Sequence, residues 1–300
     1  MEIVRTVAGL RAWSRAERSK GQTIGLVPTM GALHAGHASL IEAAAGQCGR
    51  VAVSIFVNPT QFGPNEDFAR YPRSWEADCR LAEAAGAQVV FAPTVEEMYP
   101  GSSGAGPGTF VDVEGLGGRL DGAATFVEVP GLSDRLDGKS RPGHFRGVAT
   151  VVSKLLIACE ADRAFFGQKD AAQVAVLRRM VAGLRIGTEI VVCPIVREAD
   201  GLALSSRNVY LSAEERRQAL VLSRAVREVE RLVACGERKA EALVAAGRAV
   251  FAEEPGVRVD YVEMVDWGTL LPVEVVEAWT LFAVAAWVGE TRLIDNSVIG

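Results

Sequence analysis

The sequence predicts an α/β protein: a Rossmann-like parallel sheet domain followed by a smaller α+β domain placed to act as a lid. Three observations carry that expectation. Short apolar runs alternate with helical segments through the first two thirds of the chain, the order that builds a parallel sheet with helices on both sides. Val51–Val57 (VAVSIFV) is almost continuously apolar, as a strand covered on both faces should be. After Pro194 the order changes to two long helical segments followed by strand candidates. Three hundred residues is long for one core, so domains are expected at residues 1–194 and 195–300.

The elements follow in order. Val7–Ser19 reads as a helix, and Thr23–Val27, apolar and partly β-branched, as a buried strand. Pro28 lacks a donor and is expected to end that strand. Leu26–Leu40 (LVPTMGALHAGHASL) then reads as a strand end, a tight turn at Gly31 and a helix start. That helix runs to about Gln47 with Leu40, Ile41 and Ala44 on one face. Asn58-Pro59 stops the Val51–Val57 strand and projects Asn58 and Gln61 from its end. Trp75–Gly86 is helical and Gln88–Phe91 a strand. Ligands of such sheets bind at the carboxyl ends of strands, so the HAGH and NPTQF stretches should face one crevice.

Ser140–Gly147 (SRPGHFRG) introduces a helix over Val148–Cys159, striped by Val148, Val151, Val152, Leu155, Leu156 and Cys159. His144 precedes it, equally readable as a loop histidine held by backbone bonds or as a site residue. Arg163–Phe166 is a strand closing on Gly167. Lys169 and Asp170 sit where the next helix begins, and Gln173 about one turn into it. Glu189–Cys193 is the last strand of the first domain. Then come the polar loop GLALSSRN, helices over Ala213–Cys235 and Lys239–Glu254, and strands at Arg258–Val265, Thr280–Val288 and Arg292–Ile294. Ser212-x-x-Glu215 forms a capping box at the first of those helices.

Composition excludes several classes. At 49% hydrophobic and 23% charged the chain is ordinary globular, and a net charge of −5 without any Lys/Arg run disfavours nucleic-acid binding. Anionic ligands would then need locally concentrated positive potential in a cleft. The five cysteines form no CxxC pair and fit a reducing cytoplasm. No signal-peptide core and no membrane-spanning run is expected. Gly101–Gly108 (GSSGAGPG) has the wrong context for a dinucleotide fingerprint and reads as a surface loop. Directly after it, Thr109–Gly122 (TFVDVEGLGGRLDG) repeats as Thr125–Gly138 (TFVEVPGLSDRLDG), ten of fourteen positions matching, one short duplication and no solenoid. The second copy keeps a Pro130-Gly131 turn and leads into SRPGHFRG, so Thr109–Ala124 reads as an insertion whose TFVDV could pair as an extra edge strand.

Two of the three histidines, His34 and His37, stand three apart at the strand-to-helix turn around Gly36. A helix N-terminus offers N–H groups and partial positive charge to an anion, and an imidazole can donate to a phosphate oxygen. An incidental surface turn and a zinc pair are the alternatives; the zinc reading lacks the glutamate of HExxH and any cysteine cluster.

HAGH in this setting resembles the HIGH-type signature of adenylate-forming and nucleotidyl-transferring enzymes. The wider PTMGALHAGHASLI is similar to the pantothenate synthetase (pantoate–β-alanine ligase) family. VNPTQFGPNEDFARYPR, SRPGHFRGVATVVSKLL, FFGQKDAAQ and DGLALSSRNVYL agree in order, as do DYVEMVD and TRLIDN, so the resemblance covers the chain. It implies condensation of pantoate with β-alanine through a pantoyl adenylate, with ATP consumed, AMP and pyrophosphate released, and Mg²⁺ as phosphate clamp. It implies catalytic roles for His37, His34, Lys169 and Arg207. ATP would be held by Met30, Gly31, His34, Gly36, His37, Gly167, Gln168, Lys169, Asp170, Val196, Leu204, Ser205, Ser206 and Arg207. Pantoate or β-alanine would be held by Gln61, Gln173 and Asn58, and the metal by Asp78. GLALSSRN is similar to the family's counterpart of the KMSKS loop of aminoacyl-tRNA synthetases. A cytoplasmic homodimer is implied, its partners small molecules, with no nucleic acid and no membrane. Gln168 departs from the family's glutamate, which puts in doubt any ion pair made there, and Ala171-Ala172 replaces a more usual aromatic or polar pair. A nucleotidyltransferase acting on a phosphate acceptor would not need Gln61 and Gln173, and an inactive ATP-binding regulator would be expected to have lost Lys169 or a histidine.

Overall fold

The computed structural model describes residues 1–64, 66–100, 112–113, 116–117 and 125–299. Two units emerge: Met1–Gly167 with Val176–Cys193, and Gln168–Ala175 with Pro194–Gly300. The stretch 168–175, which the sequence leaves in the first domain, therefore groups with the second.

The first unit is built on six parallel strands. In chain order it comprises β1 (Glu2–Val4), α1 (Val7–Ser19), β2 (Ile24–Thr29), α2 (Ala35–Gln47), β3 (Arg50–Ile55), α3 (Trp75–Ala84), β4 (Val89–Phe91) and α4 (Val95–Met98). Two-residue strands β5 (Asp112–Val113) and β6 (Leu116–Gly117) pair antiparallel with each other. Then come α5 (Asp137–Ser140), α6 (His144–Cys159), β7 (Arg163–Gly167), α7 (Ala171–Leu184) and β8 (Glu189–Cys193). The sheet order is β1-β4-β3-β2-β7-β8. The chain steps outward from β2 through β3 to β4 and resumes on the other side of β2 with β7. The order thus reverses between β2 and β7, the place where open α/β sheets form their ligand crevice. Val27, Ile41, Ala44, Val53, Val90 and Phe165 lie in its core.

Two departures from the sequence reading have physical causes. Pro28 does not end β2, which pairs with β3 through Pro28 and Thr29; pairing with β7 stops at Leu26, so a missing donor there is tolerated. Helix α6 begins at His144, four residues before the expected Val148. Gly143, at φ +81°, turns the chain into it. Gly147 then stays helical because the fold needs its bare Cα: a Cβ would stand 2.3 Å from the carbonyl oxygen of Thr60. The second copy's Thr125–Val129 is held by α6, Val127 N–H donating to Thr150 Oγ1 at 2.9 Å. Gly101–Gly108 and all of Thr109–Ala124 except the β5 and β6 backbones lie outside the described residues.

The second unit carries β9 (Val257–Asp266), β10 (Thr280–Val288) and β11 (Thr291–Ile299) as an antiparallel sheet ordered β11-β10-β9. Helices α8 (Ala213–Ala234) and α9 (Ala240–Ala252) supply Leu222, Val226, Val229, Leu243 and Phe251 to its core against Val262, Phe282 and Val284. Ser212 and Glu215 make the expected capping box. β11 runs on to Ile299, past Ile294, because its two polar residues Asp295 and Asn296 find buried partners.

The Gly147 contact makes a prediction. Gly147→Ala should cost about 1–3 kcal/mol, the range for overpacking, since backbone has to move. Gly183→Ala, in α7 with nothing within 4 Å of the added Cβ, should be neutral or slightly stabilising. Thermal unfolding of the two variants checks this; equal losses would show that Gly147 is not fixed by that contact.

Candidate active site

At the end of β2 the chain makes a left-handed turn, Gly31 at φ +84° and Ala32 at φ +51°. The turn points two backbone N–H groups at one carboxylate: Ala32 donates to Asp78 Oδ2 at 2.9 Å and Leu33 to Asp78 Oδ1 at 2.8 Å. Ser74 Oγ donates to Oδ1 at 2.9 Å, and Asp78 is 2% exposed. Both oxygens of Asp78, the residue expected near the metal, are engaged in holding the loop. Among the described residues no group of three His, Cys, Asp or Glu side chains could hold a metal.

The turn delivers His34 as the N-cap of α2 and His37 as its third residue, and the two close a capping box. Gly36 N–H donates to His34 Nδ1 at 3.1 Å, and His34 N–H to His37 Nδ1 at 3.3 Å. The helix start is thus capped by its own histidines: Gly36 N–H and also His37 N–H, which donates to His34 O at 2.8 Å, do not form the open anion cradle expected from sequence. With both Nδ1 lone pairs accepting, each neutral ring carries its proton on Nε2 and becomes a donor on the side away from the backbone. The rings lie 4.2 Å apart.

At the end of β3, residues Pro59–Gln61 make a single 3₁₀ turn. Gln61 reaches the HAGH loop, its Nε2 standing 2.9 Å from Met30 Sδ while its Oε1 accepts from Asn58 Nδ2 at 3.1 Å. Asn58, expected beside the substrate, is enclosed by its own turn. It is 1% exposed, and its amide is spent on Gly147 O, Gln61, Thr60 and the Tyr99 hydroxyl, so it builds the turn. Burial pushes the Tyr99 hydroxyl up to about 12, which keeps it a neutral donor to Asn58 at 2.8 Å. Lys154 stands over the Tyr99 ring at 4.8 Å and donates to Met98 O at 2.8 Å; burial lowers its pKa. His144 takes the loop-histidine reading. Its Nδ1 donates to Gln61 O at 2.8 Å and its Nε2 accepts from Arg141 at 2.9 Å, Arg141 being paired with Glu66.

Gly167 closes β7 in the first unit, and the chain passes straight into Gln168–Asp170 of the second. Lys169 Nζ lies 3.6 Å from Asp170 Oδ1. Gln168 forms no ion pair; its Nε2 donates to Asn296 Oδ1 at 3.3 Å. Gln173 is half-buried on the first turn of α7. Val196 and Leu204 meet through a backbone bond of 3.0 Å that closes a hairpin. Ser205 then caps the short helix Ser206–Tyr210, accepting from Arg207 N–H at 3.3 Å. Glu198 steadies that helix by accepting from Asn208 Nδ2 at 2.9 Å while Arg216 grips it at 2.8 Å; those Arg216 hydrogen bonds hold Glu198 below the usual carboxylate range. So the first unit brings together Met30, Gly31, His34, Gly36, His37 and Gln61, and the second brings Gln168, Lys169 and Asp170 to β11. The supporting residues Tyr99, Arg141, Arg197, Glu198, Arg216, Asp295 and Asn296 were missed from sequence. The one signal for the last two was a polar pair inside an apolar strand pattern.

Residues 2–298 match the family model described as pantoate-beta-alanine ligase. A pantothenate synthetase of Acidobacterium capsulatum is 58% identical, covering 100% of this chain and 97% of that protein. A crystal structure of the Thermus thermophilus enzyme superposes with a TM-score of 0.87 at 46% identity, covering 99% of both chains. The Francisella tularensis ligase, crystallised with β,γ ATP and β-alanine, gives a TM-score of 0.76 at 31% identity, over 99% of this chain and 97% of that one.

Asp78→Asn should lower stability by about 1–3 kcal/mol, because an amide cannot accept from both loop N–H groups without opposing one with its own donor. Adenylate formation should fall with it, while the Mg²⁺ concentration for half-maximal rate stays unchanged. A selective rise in that Mg²⁺ requirement would return Asp78 to the metal.

Proposed function

The chain belongs to the pantoate–β-alanine ligase family, and from that membership and its histidine box we infer that it condenses pantoate with β-alanine to pantothenate at the expense of ATP. The reaction runs through a pantoyl adenylate. A pantoate carboxylate oxygen attacks the α-phosphorus, the bond from that phosphorus to the β-bridging oxygen breaks, and pyrophosphate leaves. The neutral amine of β-alanine then attacks the acyl carbon, its nitrogen gives up a proton to solvent, and AMP leaves with the electron pair of the broken carbon–oxygen bond. The Francisella tularensis relative, bound to β,γ ATP and β-alanine, supports both as ligands here.

The observation that carries the reading is the pair of imidazoles whose Nδ1 atoms are capped by backbone N–H groups. In this reading the two Nε2–H groups of His34 and His37 donate to phosphate oxygens as charge shifts from the α-phosphorus toward pyrophosphate. Little proton transfer is needed in that step, so fixed donors and positioning supply the rate. Met30, Gly31, Gly36 and Gly167 let the nucleotide approach the backbone. Lys169 and Arg207, with Ser205 and Ser206, neutralise the triphosphate, and Gln168, Asp170, Val196 and Leu204 frame it. Gln61 and Gln173 read the hydroxyl and carboxylate of pantoate. Mg²⁺ in this reading arrives on the phosphates, and no step is assigned to it. Lid closure by the second unit would keep water from the acyl phosphate. Five free thiols suit a cytoplasmic setting, and no helix among the described residues is long and apolar enough to cross a membrane.

The deciding assay combines ATP, pantoate and β-alanine and follows AMP and pantothenate. His37→Ala and Lys169→Ala should each slow adenylate formation at least about a hundredfold, as loss of a transition-state charge partner does. Gln173→Ala should instead raise the pantoate KM far more than the ATP KM. Product formation at parental rate by either of the first two variants would take that residue out of the mechanism.

A homodimer through the first domain is the assembly we propose, a closed two-fold pair being the commonest solution. Light scattering at micromolar concentration should give twice the chain mass; a monomer would refute it.

A further inference from the structure

β11 alternates as a buried strand should until it reaches two adjacent polar residues. Asp295 is 1% exposed and Asn296 4%. Neither side chain serves the sheet. Asn296 Nδ2 donates to the main-chain oxygens of Gln168 at 3.0 Å and Lys169 at 2.8 Å, and its Oδ1 accepts from Gln168 Nε2 at 3.3 Å. One amide thus grips both peptide carbonyls that set where the Lys169 side chain leaves the backbone. Asp295 takes Arg197 in a two-pronged ion pair, Nη1 to Oδ2 at 2.6 Å and Nη2 to Oδ1 at 2.9 Å. Arg197 also donates to Gly201 O at 3.1 Å, and its backbone bridges to Ala203, so it stiffens the hairpin that leads into Ser205–Arg207. The two holds are coupled, because the N–H of Asn296 donates to Asp295 Oδ1 at 2.8 Å.

A fully satisfied buried polar cluster is rigid, and leaving any member unpaired is costly. Two neighbouring residues of one strand therefore fix two segments about thirty residues apart in sequence. We propose that Asp295 and Asn296 are positioning residues for adenylate formation: Asn296 sets the main chain of Lys169, and Asp295, through Arg197, sets the loop of Ser205, Ser206 and Arg207. One dipeptide then fixes the spacing of the two cationic groups that meet the triphosphate. The inference rests on the reading of Lys169 and Arg207 as triphosphate ligands.

Pantoate-dependent exchange of pyrophosphate into ATP isolates the step, measured on the full-length protein. Asn296→Ala should lower exchange about tenfold or more and raise the ATP KM, while the pantoate KM moves less than about twofold. In a Lys169→Ala background the same substitution should cost less than about threefold, because its effect runs through that lysine. Asn296→Ser, which keeps one donor, should recover part of the rate. Asp295→Asn, read in the same way against Arg207→Ala, tests the second arm. Should Asn296→Ala fail to fold, the Asn296→Ser cycle decides. Equal losses with and without Lys169, or a pantoate KM rising as much as that for ATP, would overturn the proposal. Parental exchange by Lys169→Ala and Arg207→Ala alone would instead overturn the ligand reading beneath it, and the proposal would fall with it.

Discussion

The carboxylate of Asp78 is the constraint on which the first unit depends. It lies on α3, yet it receives the N–H groups of Ala32 and Leu33 from the loop after β2. Those two groups converge because Gly31 and Ala32 both adopt left-handed backbone, which a side chain at residue 31 would oppose. Without a charged acceptor there, two donors in a tight turn would face each other. With it, the turn has one shape, and the direction of α2 and the placement of His34 follow. A buried carboxylate with three donors is well compensated, which is why its charge is tolerable at 2% exposure.

The same device recurs with amides. Asn58 ties the Pro59–Gln61 turn to α6 and Tyr99, and Asn296 ties Gln168 and Lys169 to β11. In each case a side chain that can both donate and accept supplies what irregular backbone lacks, a partner for its carbonyl or its neighbour's amide. Loops at strand ends carry the reactive groups because they are free of the ladder, and for that reason their backbone groups need partners from elsewhere. The polar residues buried around this site are thus the cost of holding loops still.

Apolar periodicity made most of the fold legible. α1, the strand before HAGH, α2, the strands at β3, β7 and β8, and the helix–helix–sheet order of the second unit all show on their buried faces. It failed where local chemistry gives one answer and a distant contact another. Pro28 looks like a strand end until β7 is seen to stop pairing at Leu26. Gly147 looks like a helix breaker until the Thr60 carbonyl is found in the space of its missing side chain. The histidine pair was legible because its members are close in sequence. The family resemblance implies ligand roles for Asp78 and Asn58. Only the three-dimensional placement of Ala32, Leu33, Gly147 and Tyr99 shows that they are already engaged.

The histidine box carries one further consequence. A capping box needs an acceptor at the N-cap and another at the third helical residue, and serine with glutamate meets that need in α8 through Ser212 and Glu215. At α2 the same two positions are filled by His34 and His37, with the same backbone bonds made through Nδ1. Capping therefore accounts for where the two residues stand and for their spacing of three, but not for their being imidazoles. A glutamate would bring negative charge toward a phosphate, and a serine would be too short to reach beyond the helix end. Imidazole accepts on one ring nitrogen and donates on the other. The helix fixes the acceptor side, and with it the direction of the other ring nitrogen. On our proposal, the helix cap and the phosphate donor are the two ends of one ring.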